Sequence, residues 1–173
     1  MRETADAERI GRFMRALGAA AREGTCYLTG GATAVLLGWR RTTIDVDIAL
    51  EPEQDELLRA LPRLKDELRI NVELASPGDF VPLPPGWRER SPFVERHGTL
   101  TFRHFDPYAQ ALAKLERSHA QDLEDVQAML ETGLVARDRL LAYFDEIERE
   151  LYRFPAIDPA SFRRAVDRFS HAT

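Results

Sequence analysis

Asp45 and Asp47 are the side chains in this sequence best placed to do chemistry. In Ile44-Asp45-Val46-Asp47-Ile48-Ala49-Leu50 they alternate with branched apolar residues. A strand of period 2 turns both carboxylates out of one face and points Ile44, Val46, Ile48 and Leu50 into the core. Two adjacent carboxylates repel each other; a divalent cation removes the repulsion, and hard oxygen donors of this kind suit Mg²⁺ or Mn²⁺. A solvated strand face is the competing reading for any Asp-x-Asp taken alone. What strengthens the metal reading is the stretch just upstream. Cys26-Tyr27-Leu28-Thr29 has the pattern of a short buried strand, Gly30-Gly31 removes two Cβ atoms where the chain turns, and Ala32 to Gly38 is apolar enough to be a helix. The first N–H groups of such a helix, next to glycines, suit a phosphate-sized anion.

The elements that must hold these residues are legible as periodicities. Ile10, Phe13, Met14 and Leu17 mark a first helix within residues 4–22, with Gly24 as its stop. Leu57, Leu61, Leu64 and Leu68 mark a crossover helix that Pro62 should kink or split. In Ile70-Asn71-Val72-Glu73-Leu74 the apolar residues are expected in the core and Asn71 and Glu73 on the opposite face. A crossover places this strand beside the Asp-x-Asp strand, with Glu73 on the face of the two aspartates. A metal site at which a hydroxyl attacks needs a group to take its proton, and Glu73 is a candidate; a surface glutamate is the alternative.

Residues 76–92 hold five prolines and two glycines, a long loop in which Trp87, Arg88 and Arg90 offer a stacking and phosphate-contacting surface. Phe93 to Arg96 and Leu100 to His104 form a hairpin that completes the sheet. Asp106-Pro107 starts a helix whose Tyr108, Leu112 and Leu115 face inward, and Ser118 with Gln121 predicts a break and a capping box. In the helix that follows, Leu123, Val126 and Leu130 define the apolar stripe, with Asp122 bordering it and Asp125 toward solvent. Leu140, Phe144 and Ile147, then Phe162, Val166 and Phe169, mark two further packing helices. The expected architecture is α+β: a mixed sheet flanked by helices over residues 1–105, and a helical region, 106–173, packed on that core.

Composition narrows the class. The chain has 173 residues, 44% of them hydrophobic, 24 Lys and Arg against 29 Asp and Glu, and a net charge of −5, so no whole-protein basic field draws in nucleic acid. The single Cys26 sits in a predicted buried strand and reads as a core thiol. No apolar run approaches the roughly 20 residues needed to cross a bilayer, and a cytoplasmic protein is expected.

Gly30-Gly31, a short helix and then Asp45-x-Asp47 resemble the signature of the nucleotidyltransferase superfamily with the polymerase-β-like fold. The form Thr43-Ile44-Asp45-Val46-Asp47, followed by the helical Lys114 and by Asp122-Leu123-Glu124-Asp125, resembles the AbiEii-type toxin nucleotidyltransferases and their small bacterial relatives. The resemblance implies that Asp45 and Asp47 bind Mg²⁺ or Mn²⁺ and that Gly30 and Gly31 hold the triphosphate of an NTP. Thr33, Arg40, Thr43 and Arg117 join the glycines as candidate nucleotide-binding residues. Lys114 would neutralise the departing pyrophosphate, with Asp122 as its acidic partner, although the spacing between these two is shorter than in those toxins; a salt-bridged surface is the alternative. The implied acceptor is the 3′ end of tRNA, with an antitoxin protein as partner. A small-molecule or protein acceptor, and a non-catalytic nucleotide- or partner-binding module, stay open at this level.

Overall fold

The computed structural model describes residues 2–171. They fall into two compact units: one runs through Ser76 and takes in Ser91–Phe105, the other comprises Pro77–Arg90 and the chain from Asp106 onward. Among the described residues no helix is long and apolar enough to cross a membrane.

The first unit is a five-stranded mixed sheet in the order β3-β2-β1-β5-β4, with three helices. Its strands are β1 (Gly24–Thr29), β2 (Asp45–Glu51), β3 (Asn71–Leu74), β4 (Phe93–His97) and β5 (Leu100–His104), and its helices α1 (Ala7–Ala20), α2 (Gly31–Leu37) and α3 (Asp55–Leu68). Through the α2 connection β2 returns antiparallel to β1, with Thr29 opposite Asp47. The longer α3 connection carries the chain to a parallel β3, with Asp45 opposite Asn71 and Asp47 opposite Glu73. Strand β5 pairs parallel with β1, and the β4–β5 hairpin closes the far edge.

Periodicity set these elements and burial orients them. Asp6 caps α1 by accepting from the Arg9 N–H at 2.9 Å, and Ile10, Phe13, Met14 and Leu17 are buried against a core that includes Cys26, Leu28, Val46, Ile48, Leu57, Leu64 and Phe102. Fully burying each large side chain of this kind contributes about 1.5–3 kcal/mol. Cys26 has no exposed surface, and burial pushes its thiol pKa up, so it is an inert core residue.

Four expectations need correction in this unit. Gly24 does not stop α1, which ends at Ala20; it opens β1. Ile44 is 73% exposed, because β2 begins one residue later and only Val46, Ile48 and Leu50 alternate into the core. Leu74 is 50% exposed, since it ends the short edge strand β3 while Ile70 and Val72 carry its burial. Helix α3 runs through Pro62 without division, and the proline lies on the exposed face of the helix.

The second unit contains α4 (Pro107–Arg117), α5 (Ala120–Glu131), α6 (Arg137–Glu148) and α7 (Pro159–His171), with α4 packed on α5, α6 and α7. Asp106, fully buried, caps α4 through the Tyr108 N–H at 3.1 Å. It also receives Arg90, whose Nη2 lies 2.8 Å from Asp106 Oδ2 and whose guanidinium stacks 4.1 Å from the Tyr143 ring. Arg90 therefore fastens the 77–90 segment to the helices and is not an open phosphate contact; Trp87 and Arg88 stack on each other at 4.3 Å.

The break after α4 is where the sequence placed it, but its chemistry differs. Ser118 is the left-handed C-cap of α4, at φ 55°, and not the cap of α5. His119 starts α5, with Asp122 accepting from its backbone N–H at 3.2 Å. The inward stripe of α5 is Asp122, Asp125, Val126 and Met129. Asp125, expected toward solvent, is only 1% exposed because the inward face of α5 is not wholly apolar.

Candidate active site

Three short elements of the sheet unit converge on Asp45 and Asp47. Both project from the half-buried face of β2 while Val46 and Ile48 are fully buried behind them. The end of β1 lies beside Asp47, and there the chain turns at Gly30 with φ 60° and ψ −128°. Only glycine takes that conformation without strain. A Cβ at Gly30 would lie 3.0 Å from Asp47 Oδ2, so the turn sits directly against this carboxylate. At Gly31 a Cβ would overlap the Thr43 side chain and come within 3.2 Å of Arg40 Nη1. The glycine pair thus lets Thr43 and the Arg40 guanidinium close over the start of α2.

Thr43 is buried and does two positioning jobs. Its hydroxyl donates to the Asp45 carbonyl at 2.9 Å, and its backbone exchanges hydrogen bonds with Ala5. Together these set where β2 enters the sheet.

On the other side of Asp45 and Asp47 lies β3. The parallel register puts exposed Glu73 next to Asp47 and half-buried Asn71 next to Asp45. Asn71 Nδ2 donates to Asp45 Oδ1 at 2.5 Å and to Glu73 Oε1 at 3.0 Å. Sequence reading placed Asn71 on this face and gave it no task; the signal was its two-residue spacing from Glu73. Among the described residues no group of three or more His, Cys, Asp or Glu is placed to hold a metal ion. Two carboxylates with open positions are nonetheless what Mg²⁺ accepts when substrate phosphates and water supply its other oxygens, and the donor set fits that ion.

The remaining candidates make contacts of their own. Thr33 is 1% exposed and turned inward: its hydroxyl donates to the Leu28 carbonyl at 3.3 Å and shares a 2.9 Å hydrogen bond with His104 Nδ1. In the helical unit, Lys114 Nζ is 2.7 Å from Asp125 Oδ2 and 3.8 Å from Asp122 Oδ1. Asp125, not Asp122, is thus the hydrogen-bonded partner of Lys114. Asp122 is gripped by Arg117 through Nε at 2.8 Å and Nη2 at 2.6 Å. Burial alone would raise the Asp122 pKa, but the Arg117 fork, Lys114 and the His119 N–H outweigh it and the net shift is downward.

His104, to which the sequence assigned no task, predicts a pH dependence. Burial lowers its pKa from 6.5 to about 4. The unfolded chain binds a proton near pH 6.5 that the folded chain refuses until about pH 4, so this stability is whole above pH 6.5 and falls as pH drops toward 4. The loss amounts to about 3 kcal/mol. Denaturant titrations across that range should show it, and His104→Gln should flatten the profile; an unchanged slope in that variant would refute the assignment.

Comparison with known proteins gives a family and no individual relative. No curated protein and no solved structure matches the chain. The model of a family described as "Nucleotidyltransferase of unknown function (DUF6036)" matches residues 8–156, a span that takes in the glycine turn, both aspartates, Glu73 and the Lys114 cluster. By that match the chain belongs to this nucleotidyltransferase family.

Proposed function

We propose that the protein transfers a nucleoside monophosphate from an NTP to an acceptor hydroxyl, with Mg²⁺ or Mn²⁺ held by Asp45 and Asp47. The observation that carries this reading is the position of Asp45 and Asp47 on one strand face, with the Gly30 turn against Asp47 and Glu73 in register beside it. The metal, when bound, would draw charge off the phosphate oxygens and orient the triphosphate. The chain supplies the rest. Gly30 and Gly31 leave the backbone open to a phosphate group, and Arg40 brings positive charge to the same turn. The acceptor oxygen bonds to the α-phosphorus, the bond to pyrophosphate breaks, and Glu73 takes the acceptor's proton. Exposure of Glu73 suits that step, since a base must meet an incoming hydroxyl.

The resemblance to AbiEii-type toxins names the 3′ end of tRNA as the acceptor and an antitoxin as the partner. Incubation with each α-labelled NTP, Mg²⁺ and total bacterial RNA, followed by a denaturing gel, tests this. Labelled bands of tRNA size support the proposal. Label appearing only on a protein or a small molecule would keep the transferase and discard the tRNA acceptor, and no Mg²⁺-dependent transfer at all would overturn the reading.

A further inference from the structure

Asn71 sits between three charged side chains, and the chemistry of those groups dictates its orientation. Arg2 Nη1 donates to Asn71 Oδ1 at 2.5 Å, while Nδ2 reaches Asp45 Oδ1 at 2.5 Å and Glu73 Oε1 at 3.0 Å. A guanidinium only donates and an ionised carboxylate only accepts. The amide oxygen must therefore face Arg2, and the NH₂ must face the carboxylates. Both N–H bonds of Nδ2 are then committed, one to each acid.

The three contacts come from separate parts of the chain. Asp45 stands on β2 directly opposite Asn71, Glu73 lies two residues along β3, and Arg2 belongs to the segment whose Glu3 N–H donates to the Arg69 carbonyl and whose Ala5 pairs with Thr43, two residues short of β3 and of β2. The amide consequently couples a candidate metal ligand to the candidate base without adding charge between them. Asp45 would otherwise be free to swing away from Asp47, since like charges on one face repel.

We infer that Asn71 is a positioning residue: oriented by Arg2, it holds Asp45 in the rotamer that receives the divalent cation and ties Glu73 to the same site. This rests on the metal-dependent reading of Asp45 and Asp47 above. Residues that hydrogen-bond a metal-ligating carboxylate are worth about 10- to 100-fold in metal affinity or activity.

The test is Mn²⁺ binding, measured by titration calorimetry and by paramagnetic resonance in the presence of a non-hydrolysable NTP analogue. It compares the wild type with Asn71→Leu, Asn71→Ala, Arg2→Ala and Asp45→Ala. Asn71→Leu keeps the volume and removes the amide. It should weaken Mn²⁺ binding by about 10- to 100-fold, with Asn71→Ala alike. Arg2→Ala leaves the amide in place but unanchored and should weaken binding by about three- to tenfold. Arg2 is exposed, so this variant keeps the question open to decision if a substitution at Asn71 unfolds the chain. Wild-type affinity in folded Asn71→Leu, alongside lost binding in Asp45→Ala, would overturn the positioning role alone. Equal binding by the wild type and Asp45→Ala would overturn the metal-site reading and this inference together.

Discussion

Asp47→Asn and Asp45→Asn should each lower nucleotidyl transfer by about 10³-fold or more, with the fold intact, because on the proposed function each removes one of the two charges that would hold the metal. The reason to expect an intact fold is local. Both residues are half-buried on the polar face of β2, while the strand's contribution to the core comes from Val46, Ile48 and Leu50. Removing one member of a like-charged pair relieves repulsion, so Tm should hold or rise by a few degrees, the usual relation between a functional site and stability. Asparagine is the substitution of choice at 47. It matches the aspartate in size, and the Gly30 turn lies 3.0 Å from Oδ2 when measured to the position a Cβ would take. The measurement is initial transfer rate against Mg²⁺ concentration beside a thermal melt. Full activity in a folded Asp47→Asn protein would remove Asp47 from the metal site.

Lys114→Met should cost about 3–5 kcal/mol of stability. Lys114 is 7% exposed, Asp125 1% and Asp122 2%, so removing the ammonium takes a nearby positive charge from two buried carboxylates. Asp122 keeps its two bonds from Arg117, which leaves Asp125 as the group that suffers most. Adding Asp125→Leu to Lys114→Met should therefore restore most of the loss, since replacing a buried ion pair by apolar groups is often close to neutral. Denaturant midpoints of the two single variants and the double variant give the coupling energy directly. Additive losses would mean that the 2.7 Å contact between Lys114 and Asp125 contributes nothing. Any fall in transfer rate in Lys114→Met has to be read against the rate of that double variant, because unfolding alone would reduce it.

Some of these features could be read before any coordinates. The glycine turn, the Asp-x-Asp strand and the crossover to β3 follow from simple rules: glycine where φ is positive, alternation in strands, and a helix between neighbouring strands. Others escaped for reasons that can be named. Asp125 was assigned to solvent because an inward helix face was assumed to be apolar, and a buried lysine on the neighbouring helix reverses that logic. Thr33 was grouped with the nucleotide-binding residues by its place after the glycines, yet its hydroxyl is turned inward to His104, a partner 71 residues away. Ile44 matched the alternation, but the ladder starts one residue beyond it.

What the sequence determined by itself is which side chains share a face of one element, because backbone periodicity depends only on neighbours along the chain. It put Asp45 with Asp47, and Asn71 with Glu73. Which faces then meet was decided by the tertiary structure: the pairing of β2 with β3 sets Glu73 beside Asp47, and the packing of α4 on α5 sets Lys114 against Asp125. Those choices depend on contacts between residues far apart in the chain, whose register is settled only when every apolar face is buried at once.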